Sequence, residues 1–335
     1  MAHLYQDAEK KIKEIFWDDV HDKTSKLDVL GIIADKLRND DNAKDPAYYG
    51  HQAGVVHASY LSRCLRGVIL EMLGAKRDEE QEARVLGVFK AGNLFEDFII
   101  DALGERVLCR QREYEFHYKG VKLVGRSDYA LDDGGVIRIG ENKSVRSDSF
   151  WHRQNEGTLV AYHNQIQLMI YLWLERICNP FACNVCHRLL LSNNLVPPTC
   201  CKQPMEARPQ LKFKDPQGLF TYISKDDCTI VSCPVKFSQT IVDEMILPAL
   251  AVIDEGYTTK NPNVAPLPAL AIYNESRHQY EKNWLCKYCG FHNQCAGVGW
   301  VAEASNLVTT RNQEMKKSMN NPHAAKKEKP IISVA

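Results

Sequence analysis

An apolar, strand-like segment of the sequence ends in a carboxylate and an ammonium group. Residues 135–143 read as a strand, and Ile137, Ile139, Glu141 and Lys143 project together because side chains two positions apart on a strand share a face. Burying Glu and Lys costs free energy unless they are paired or bind a metal. The pattern therefore indicates a reactive pair at the end of this strand.

Asp128 supplies a second carboxylate near the end of the preceding strand candidate, residues 121–131. The turn L-D-D-G-G joins the two segments, so a hairpin would bring Asp128 beside Glu141. Two carboxylates suit Mg²⁺ or Mn²⁺, which prefer oxygen ligands. Such an ion polarises a phosphate ester and generates hydroxide, and Lys143 would orient that water. A surface hairpin with a solvated Glu–Lys pair is the alternative interpretation.

Four cysteines flank this segment at a distance along the chain. Cys64 stands alone in a helix-like stretch, whereas Cys286, Cys289 and Cys295 lie in W-L-C-K-Y-C-G-F-H-N-Q-C. Thiolates are soft ligands that suit iron-sulfur clusters or zinc, so these residues alone leave both open. One centre bound by all four would join the two ends of the chain across the acidic residues.

A second group of thiols falls within residues 178–205. It begins with Cys183 and Cys186, a C-x2-C pair typical of zinc knuckles, but its other half is the adjacent pair Cys200 and Cys201. We interpret the segment as a small zinc-binding insertion, with Cys178 or His187 as substitute ligands. A cysteine-bearing loop without metal is the alternative.

Helices and strands alternate around these residues, which predicts a mixed α/β core. The N-terminal residues 1–54 read as a helical accessory segment, and the Lys-rich residues 299–335 as a partly disordered tail. We predict helices over 58–73 with Ser59 as N-cap, 79–103, 157–177 and 237–254, and strands over 106–116, 121–131 and 135–143 with a further pair within 218–235.

Composition limits the protein class. Lys and Arg together number 42, as do Asp and Glu, so any nucleic-acid surface must be a local patch. The first residues lack a signal-peptide core, and we find no run of about 18 apolar residues. We expect a soluble, cytoplasmic protein of cellular or viral origin without a membrane partner. In such a compartment, clustered thiols among the twelve cysteines favour metal binding over disulfides.

The acidic residues belong to a longer set that resembles a known family. Glu96 ends G-N-L-F-E, Asp128 ends G-R-S-D, Glu141 begins E-N-K, and Q-L-M-I-Y contains Gln167 and Tyr171. This set resembles the RecB-like branch of the PD-(D/E)xK nucleases, with Glu in place of the His of many members. The resemblance covers about residues 55–298 and implies a restriction-endonuclease-like core, a mixed sheet flanked by helices.

The same resemblance implies a role for each site residue. Glu96, Asp128, Glu141 and the backbone carbonyl of Asn142 would bind Mg²⁺ or Mn²⁺. Lys143 would position the attacking water, and Gln167 and Tyr171 would contact DNA or that water.

The flanking cysteines extend the likeness. S-Y-L-S-R-C-L-R and C-x2-C-x5-C resemble the four-cysteine cluster of CRISPR-associated Cas-four exonucleases and AddB-type helicase-nucleases. This implies a structural 4Fe-4S cluster on Cys64, Cys286, Cys289 and Cys295. It also implies hydrolysis of single-stranded DNA from an end, in CRISPR adaptation or in phage or host recombination and replication.

The chain contains no P-loop G-x-x-x-x-G-K-[ST], so a helicase or CRISPR adaptation proteins would act as partners. Two other classes remain open. A non-catalytic iron-sulfur DNA-binding or assembly subunit would keep the cysteines without cutting. An iron-sulfur electron carrier would leave the acidic residues unexplained.

Overall fold

The computed structural model describes residues 35–36, 38–40, 53–78, 83–147, 162–269, 271–274, 278–287, 289–296 and 300–319. The chain divides into two compact units, residues 1–44 with 82–87 and residues 45–81 with 88–335. In the first unit, residues 35–36, 38–40 and 83–87 are helical. The rest of the helical accessory segment predicted over residues 1–54 lies outside the described residues, except for Ala53 and Gly54.

The first half of the second unit builds most of the sheet. A short strand is followed by two helices, the second of which begins in residues 82–87, and then by three long strands and a further helix. These are β1 (Val55–His57), α1 (Leu65–Met72), α2 (Ala83–Leu103), β2 (Val107–Tyr118), β3 (Val121–Asp133), β4 (Val136–Val145) and α3 (Tyr162–Ile177). The three predicted strands and the later helices are confirmed, and each strand begins within one residue of its predicted start and ends two residues after its predicted end.

The second half adds short strands, the predicted strand pair and the C-terminal helices. The strands are β5 (Asn179–Ala182), β6 (Leu189–Ser192), β7 (Thr199–Cys200), β8 (Gln203–Pro204), β9 (Glu206–Ala207), β10 (Gln217–Ser224), β11 (Ile230–Val235), β12 (Ala271–Asn274) and β13 (Gln279–Lys282). The helices are α4 (Gln239–Ile241), α5 (Leu247–Thr258), α6 (Trp284–Lys287), α7 (His292–Ala296) and α8 (Trp300–Met319), with a π-helical turn, Val242–Ile246, between α4 and α5.

Nine strands of the described residues form one mixed sheet, in the order β11-β10-β4-β3-β2-β6-β5-β9, with β1 beside β3. Strand β3 runs antiparallel to β2 and β4, whereas β10 is parallel to β4 and β6 is parallel to β2. Side chains of α3 such as Leu168 and Ile170 are fully buried with Leu123 and Ile139 of the sheet. The predicted α/β class, with a mixed sheet flanked by helices, is confirmed.

The helix predicted over residues 58–73 is shorter than expected. Ala58–Tyr60 form a 3-10 turn, and the α-helix begins only at Leu65. Cys64 takes an extended backbone conformation as the N-cap, so it precedes α1 and is not carried on it. The assignment of Ser59 as N-cap was therefore wrong, because the chain turns once more before the helix starts.

The tail over residues 299–335, which was predicted to be partly disordered, contains the helix α8, which spans Trp300–Met319. The side chain of Asn312 accepts from the backbone N–H of Tyr280 at 2.6 Å and donates to its carbonyl at 2.9 Å. Arg311 lies 5.1 Å from the Tyr280 ring, and Ala304 is fully buried. Although its composition is polar, this segment forms a helix that packs on the β12–β13 hairpin. Residues 320–335 lie outside the described part.

A buried ion pair joins strand β2 to helix α3. Arg112 donates through Nε and Nη2 to the carboxylate of Glu175, and both side chains are almost completely shielded from solvent. Tyr114 also donates to Glu175, at 2.9 Å, and its ring stacks on that of Tyr171 at a centroid distance of 5.2 Å. Because a buried charge requires a partner, this network fixes the position of α3 over the sheet.

No helix among the described residues combines the length and hydropathy that crossing a membrane requires.

We predict that Glu175→Ala lowers the free energy of unfolding by about 3–5 kcal/mol, since it leaves Arg112 buried without its charge partner. Urea unfolding monitored by circular dichroism measures this change. The control is Asp101→Ala, which breaks an exposed ion pair with Arg110 and should cost no more than about 1 kcal/mol. Equal losses in the two variants would contradict a special role for the buried pair.

Candidate functional site

The β3–β4 hairpin brings the two predicted carboxylates together. Tyr129 pairs with Gly140 in the register, which makes Asp128 and Glu141 neighbours on adjacent strands. The backbone N–H of Asn142 donates to Asp128 Oδ2 at 2.6 Å. The hairpin inferred from the turn L-D-D-G-G is therefore present.

Glu141 is the centre of a network of side chains. Its Oε1 accepts from Lys143 Nζ and, at 2.8 Å, from Gln167 Nε2. Lys143 also donates to Gln167 Oε1 at 3.3 Å, and Gln167 donates to the Tyr171 hydroxyl at 3.0 Å. Gln167 and Tyr171 lie on one face of α3, as their four-residue spacing predicts. The Glu141 side chain is only 3% exposed, so the solvated surface pair is not what the structure contains.

Helix α2 contributes a third carboxylate. Glu96 accepts a hydrogen bond from Gln111 of β2 and lies close enough to the hairpin to interact with its charges. Burial, followed by the charges of Glu141 and Glu96, holds the pKa of Asp128 well above its usual range. Burial likewise raises the pKa of Glu96 and of Glu141. Three carboxylates are thus held together in conditions that disfavour three negative charges.

The hairpin contains buried polar side-chain atoms without hydrogen-bond partners. Glu141 Oε2 is buried and has no hydrogen-bond partner, in contrast to Oε1. Most buried polar atoms in native proteins have a hydrogen-bond partner, because desolvation without a partner costs free energy. A cation beside Glu141 would supply the missing interaction and neutralise Asp128. Among the described residues, the three carboxylates do not approach within 4.8 Å of one another as a group.

A cleft of about 280 Å³ opens beside the carboxylates. Its floor is formed by alternate residues of β2 and β3, which share one face of the sheet. Glu96, Tyr171 and Arg188 also line the cleft. The charged and polar residues of the floor are Gln111, Glu113, Glu115, Lys122, Arg126 and Asp128.

Gly125, the first residue of G-R-S-D, is required by packing. A Cβ atom at this position would lie 2.7 Å from Tyr171 Cε1 and 3.0 Å from Ala58 Cβ, both too close. The absence of a side chain lets the Tyr171 ring pack against the strand. Sequence reasoning missed this role, as it missed Gln111 and Arg188, although the alternation of β2 placed Gln111 on one face with Glu113.

The second group of cysteines forms a compact thiol site. The sulfurs of Cys183, Cys186, Cys200 and Cys201 all lie within 4.8 Å of one another, and among the described residues this is the group able to hold a metal ion. Cys186 Sγ lies 3.6 Å from Cys200 Sγ, which in turn lies 3.9 Å from Cys201 Sγ. The predicted grouping of these four residues is confirmed.

Local backbone geometry favours the thiolate form of Cys183, whereas the neighbouring thiols Cys186 and Cys200 raise the pKa of Cys201 to about 12. The backbone N–H groups of Cys186 and Val185 lower the pKa of the Cys183 thiol to about 6. The substitute ligands proposed from sequence lie outside the group. Cys178 is buried with its sulfur 3.9 Å from the Glu115 carbonyl, and His187 occupies a left-handed conformation (φ 60°) in the turn between the first cysteines and β6.

The other four cysteines come from the two ends of the second unit. Burial, followed by the charges of the Cys64, Cys289 and Cys295 thiols, raises the pKa of Cys286 to about 12. Their sulfurs do not form a group within 4.8 Å, so they are more widely spaced than the compact site.

Hydrogen bonds join the same two ends of the unit. The N–H of Asp78 donates to the Gly290 carbonyl at 2.8 Å, and the N–H of Asn293 donates to Asp78 Oδ2 at 2.8 Å. The segment after α1 is therefore fastened to the C-terminal cysteine segment, as the one-plus-three arrangement of cysteines predicts.

Comparison with known proteins gives little guidance. No protein-family model matches the chain, and no curated protein does. A solved structure titled "Crystal structure of SSO0001" is similar over 80% of this chain and 95% of that chain, at 18% sequence identity and a TM-score of 0.42. The site must therefore be interpreted from its own residues.

We predict that Asp128→Asn raises the thermal unfolding midpoint at neutral pH when no divalent metal is added. Folding raises the pKa of Asp128, so the native state binds its proton more tightly than the unfolded chain. The free energy of unfolding therefore falls as pH rises from the unfolded pKa through the native pKa. The neutral amide avoids this loss, and its advantage should vanish in acid, below the unfolded pKa.

Differential scanning calorimetry from about pH 3 to about pH 8 measures this effect, since the unfolded pKa of Asp is about 3.9. Glu105→Gln is the matched control, because it removes an exposed carboxylate that lies outside the cleft lining. A midpoint that changes no more in Asp128→Asn than in this control would contradict the repulsion among the three carboxylates.

Proposed function

We propose that the chain is a metal-dependent deoxyribonuclease that hydrolyses single-stranded DNA from an end, with a restriction-endonuclease-like core. One observation carries the proposal: Glu141 is buried between Lys143, Gln167 and Asp128 with one carboxylate oxygen unpartnered. A structural ion pair would use both oxygens. An orphaned oxygen beside a second carboxylate is suited to Mg²⁺ or Mn²⁺.

Each side chain has a task in this proposal. Glu96, Asp128, Glu141 and the Asn142 carbonyl would hold the metal. A bound metal would polarise the phosphate and lower the pKa of water. The Lys143 ammonium, held by Glu141 and Gln167, would orient water and offset charge that develops on the phosphate. Burial opposes its charge, but Glu141 and Asp128 outweigh burial and raise the pKa of Lys143.

Tyr171 and Gln167 would support this arrangement from helix α3. Gln167 bonds to both members of the Glu141–Lys143 pair and to the Tyr171 hydroxyl. The Tyr171 ring stacks on the Tyr114 ring and packs against Gly125, which has no side chain to displace it. Such positioning keeps the reactive groups in place without reorganisation when charge develops.

We assign the wider cysteine group to a 4Fe-4S cluster and the compact group to zinc. In a cluster each thiolate binds its own iron, so the sulfurs stand farther apart than around one ion. A tetrahedral zinc with Zn–S bonds of about 2.3 Å separates its sulfurs by roughly 3.8 Å. The separations of 3.6 and 3.9 Å in the compact group agree with that value.

The cellular role follows from the resemblance to RecB-like, Cas-four and AddB-type nucleases. It favours CRISPR adaptation or phage or host recombination and replication, with a helicase or adaptation proteins as partners. The competing hypothesis is a non-catalytic iron-sulfur subunit that binds DNA or assembles a larger complex. The buried Glu141–Lys143–Gln167 network supports catalysis, because a binding subunit has no need of a buried carboxylate that keeps an unpartnered oxygen beside a second carboxylate.

We predict that the purified protein degrades end-labelled single-stranded DNA with Mn²⁺, and that Lys143→Ala reduces kcat/KM by 100-fold or more, on the order of 3 kcal/mol of transition-state stabilisation. Gel electrophoresis of 5′- and 3′-labelled oligonucleotides measures cleavage. Lys236→Ala removes an exposed lysine far along the sequence and should leave the rate unchanged. Equal rates in wild type and Lys143→Ala would refute the site, and no cutting by any variant would favour the assembly subunit.

Metal analysis of anaerobically purified protein should find both iron and zinc. Cys286→Ala should lose iron, visible absorbance and thermal stability but keep zinc, whereas Cys186→Ser should lose zinc and keep iron. Cys228→Ser, which changes an exposed cysteine outside both groups, should lose neither. Loss of both metals from each single variant, or the same metal in both groups, would contradict the assignment.

A further inference from the structure

The compact cysteine group is continuous with the wall of the cleft. Its first turn runs from Cys183 to Arg188, closed by hydrogen bonds from the Cys183 N–H to the Arg188 carbonyl and from the His187 N–H to the Cys183 carbonyl, both 2.9 Å. Strand β6 begins at the next residue and pairs with β2. Arg188 thus stands between the cysteine turn and the sheet that carries the cleft.

The guanidinium of Arg188 connects the two sites. Its Nε donates to Glu113 Oε2 at 2.7 Å, and its Nη2 lies 2.6 Å from the same oxygen. Burial opposes the charge of Arg188, but Glu113 and Cys200 outweigh it and raise its pKa. The side chain is 42% exposed and lines the cleft, so it is open to a ligand.

The surroundings of Arg188 suit a phosphodiester chain. Glu113 is opposite Arg126 in the β2–β3 register, so the two arginines are on either side of one carboxylate along the cleft. A guanidinium carries five N–H donors, and Glu113 engages Arg188 through only two of its nitrogens. The donors that neither Glu113 nor Cys200 engages can contact phosphate oxygens, while the ion pair keeps the side chain in place.

We propose that Arg188 contacts the phosphate backbone of the DNA strand in the cleft, and that a metal ion on Cys183, Cys186, Cys200 and Cys201 holds it in position. The compact cysteine group then sets DNA affinity and is more than a fold-stabilising knuckle. This inference rests on the proposed nuclease function, since that function supplies the strand. Arg188 is a binding residue, and the four cysteines position it.

The first test measures binding of a fluorescent single-stranded oligonucleotide by anisotropy at a series of salt concentrations, without added Mg²⁺ or Mn²⁺. Arg188→Gln should lower the slope of log K against log salt by about 0.7, the value for one phosphate contact to a single strand. Arg188→Lys should restore most of the slope. Arg208→Gln is the matched control, because Arg208 pairs with Glu206 at 2.7 Å immediately after the insertion that holds Arg188 but does not line the cleft.

The outcomes separate the two proposals. A wild-type protein that neither binds nor cuts DNA overturns the nuclease function and this inference with it. In a second outcome, the wild-type protein cuts DNA while Arg188→Gln and Arg208→Gln both keep the wild-type salt slope. That result overturns only the role of Arg188.

The second test concerns the cysteines. Cys186→Ser should lose the same slope of about 0.7, and adding Arg188→Gln to it should change nothing further, because both act through one contact. If Cys186→Ser does not fold, a chelator is used to remove metal from the folded wild-type protein, and zinc is then added back. The slope of log K against log salt should fall when the metal is removed and recover when zinc is restored. Additive losses of slope in the double variant would overturn the positioning role. A slope that does not change when the metal is removed would do the same.

Discussion

Burial of the Glu141 carboxylate between an ammonium group and a second carboxylate is the constraint on which the rest of the structure depends. Lys143 and Gln167 satisfy one of its oxygens, and Asp128 beside it is held with a raised pKa. Burying these charged groups lowers the stability of the folded protein when no ligand is bound. The surrounding elements must therefore hold the side chains in place. The long hairpin β3–β4 and helix α3 do this from two directions.

The support behind the site is itself a buried charge pair. Glu175 and Arg112 attach α3 to β2 two turns of helix from Gln167, and Tyr114 connects that pair to the ring of Tyr171. Every member has its partner, so the network adds rigidity without leaving an uncompensated charge. Glu141 differs from these residues, because one of its carboxylate oxygens is buried without a hydrogen-bond partner.

The two cysteine groups connect different parts of the chain. The wider group joins the residue before α1 to the C-terminal segment, where Asp78, Gly290 and Asn293 also bond directly. The compact group closes a local excursion between β5 and β9 and thereby fixes the residue that precedes β6. A metal in the first would hold the ends of the domain, and one in the second would shape a wall of the cleft.

The sequence by itself determined the α/β class, the three central strands and two pairs of side chains, Glu141 with Lys143 and Gln167 with Tyr171, because strand and helix periodicities fix which neighbours share a face. The family resemblance alone implied that the two pairs belong to one site. Only the tertiary structure decided what approaches from other elements. Gln111 reaches Glu96, Gly125 makes room for Tyr171, Arg188 enters the cleft, and α8 folds where composition indicated disorder. Such contacts join residues far apart in the chain, and local propensity and spacing carry no information about them.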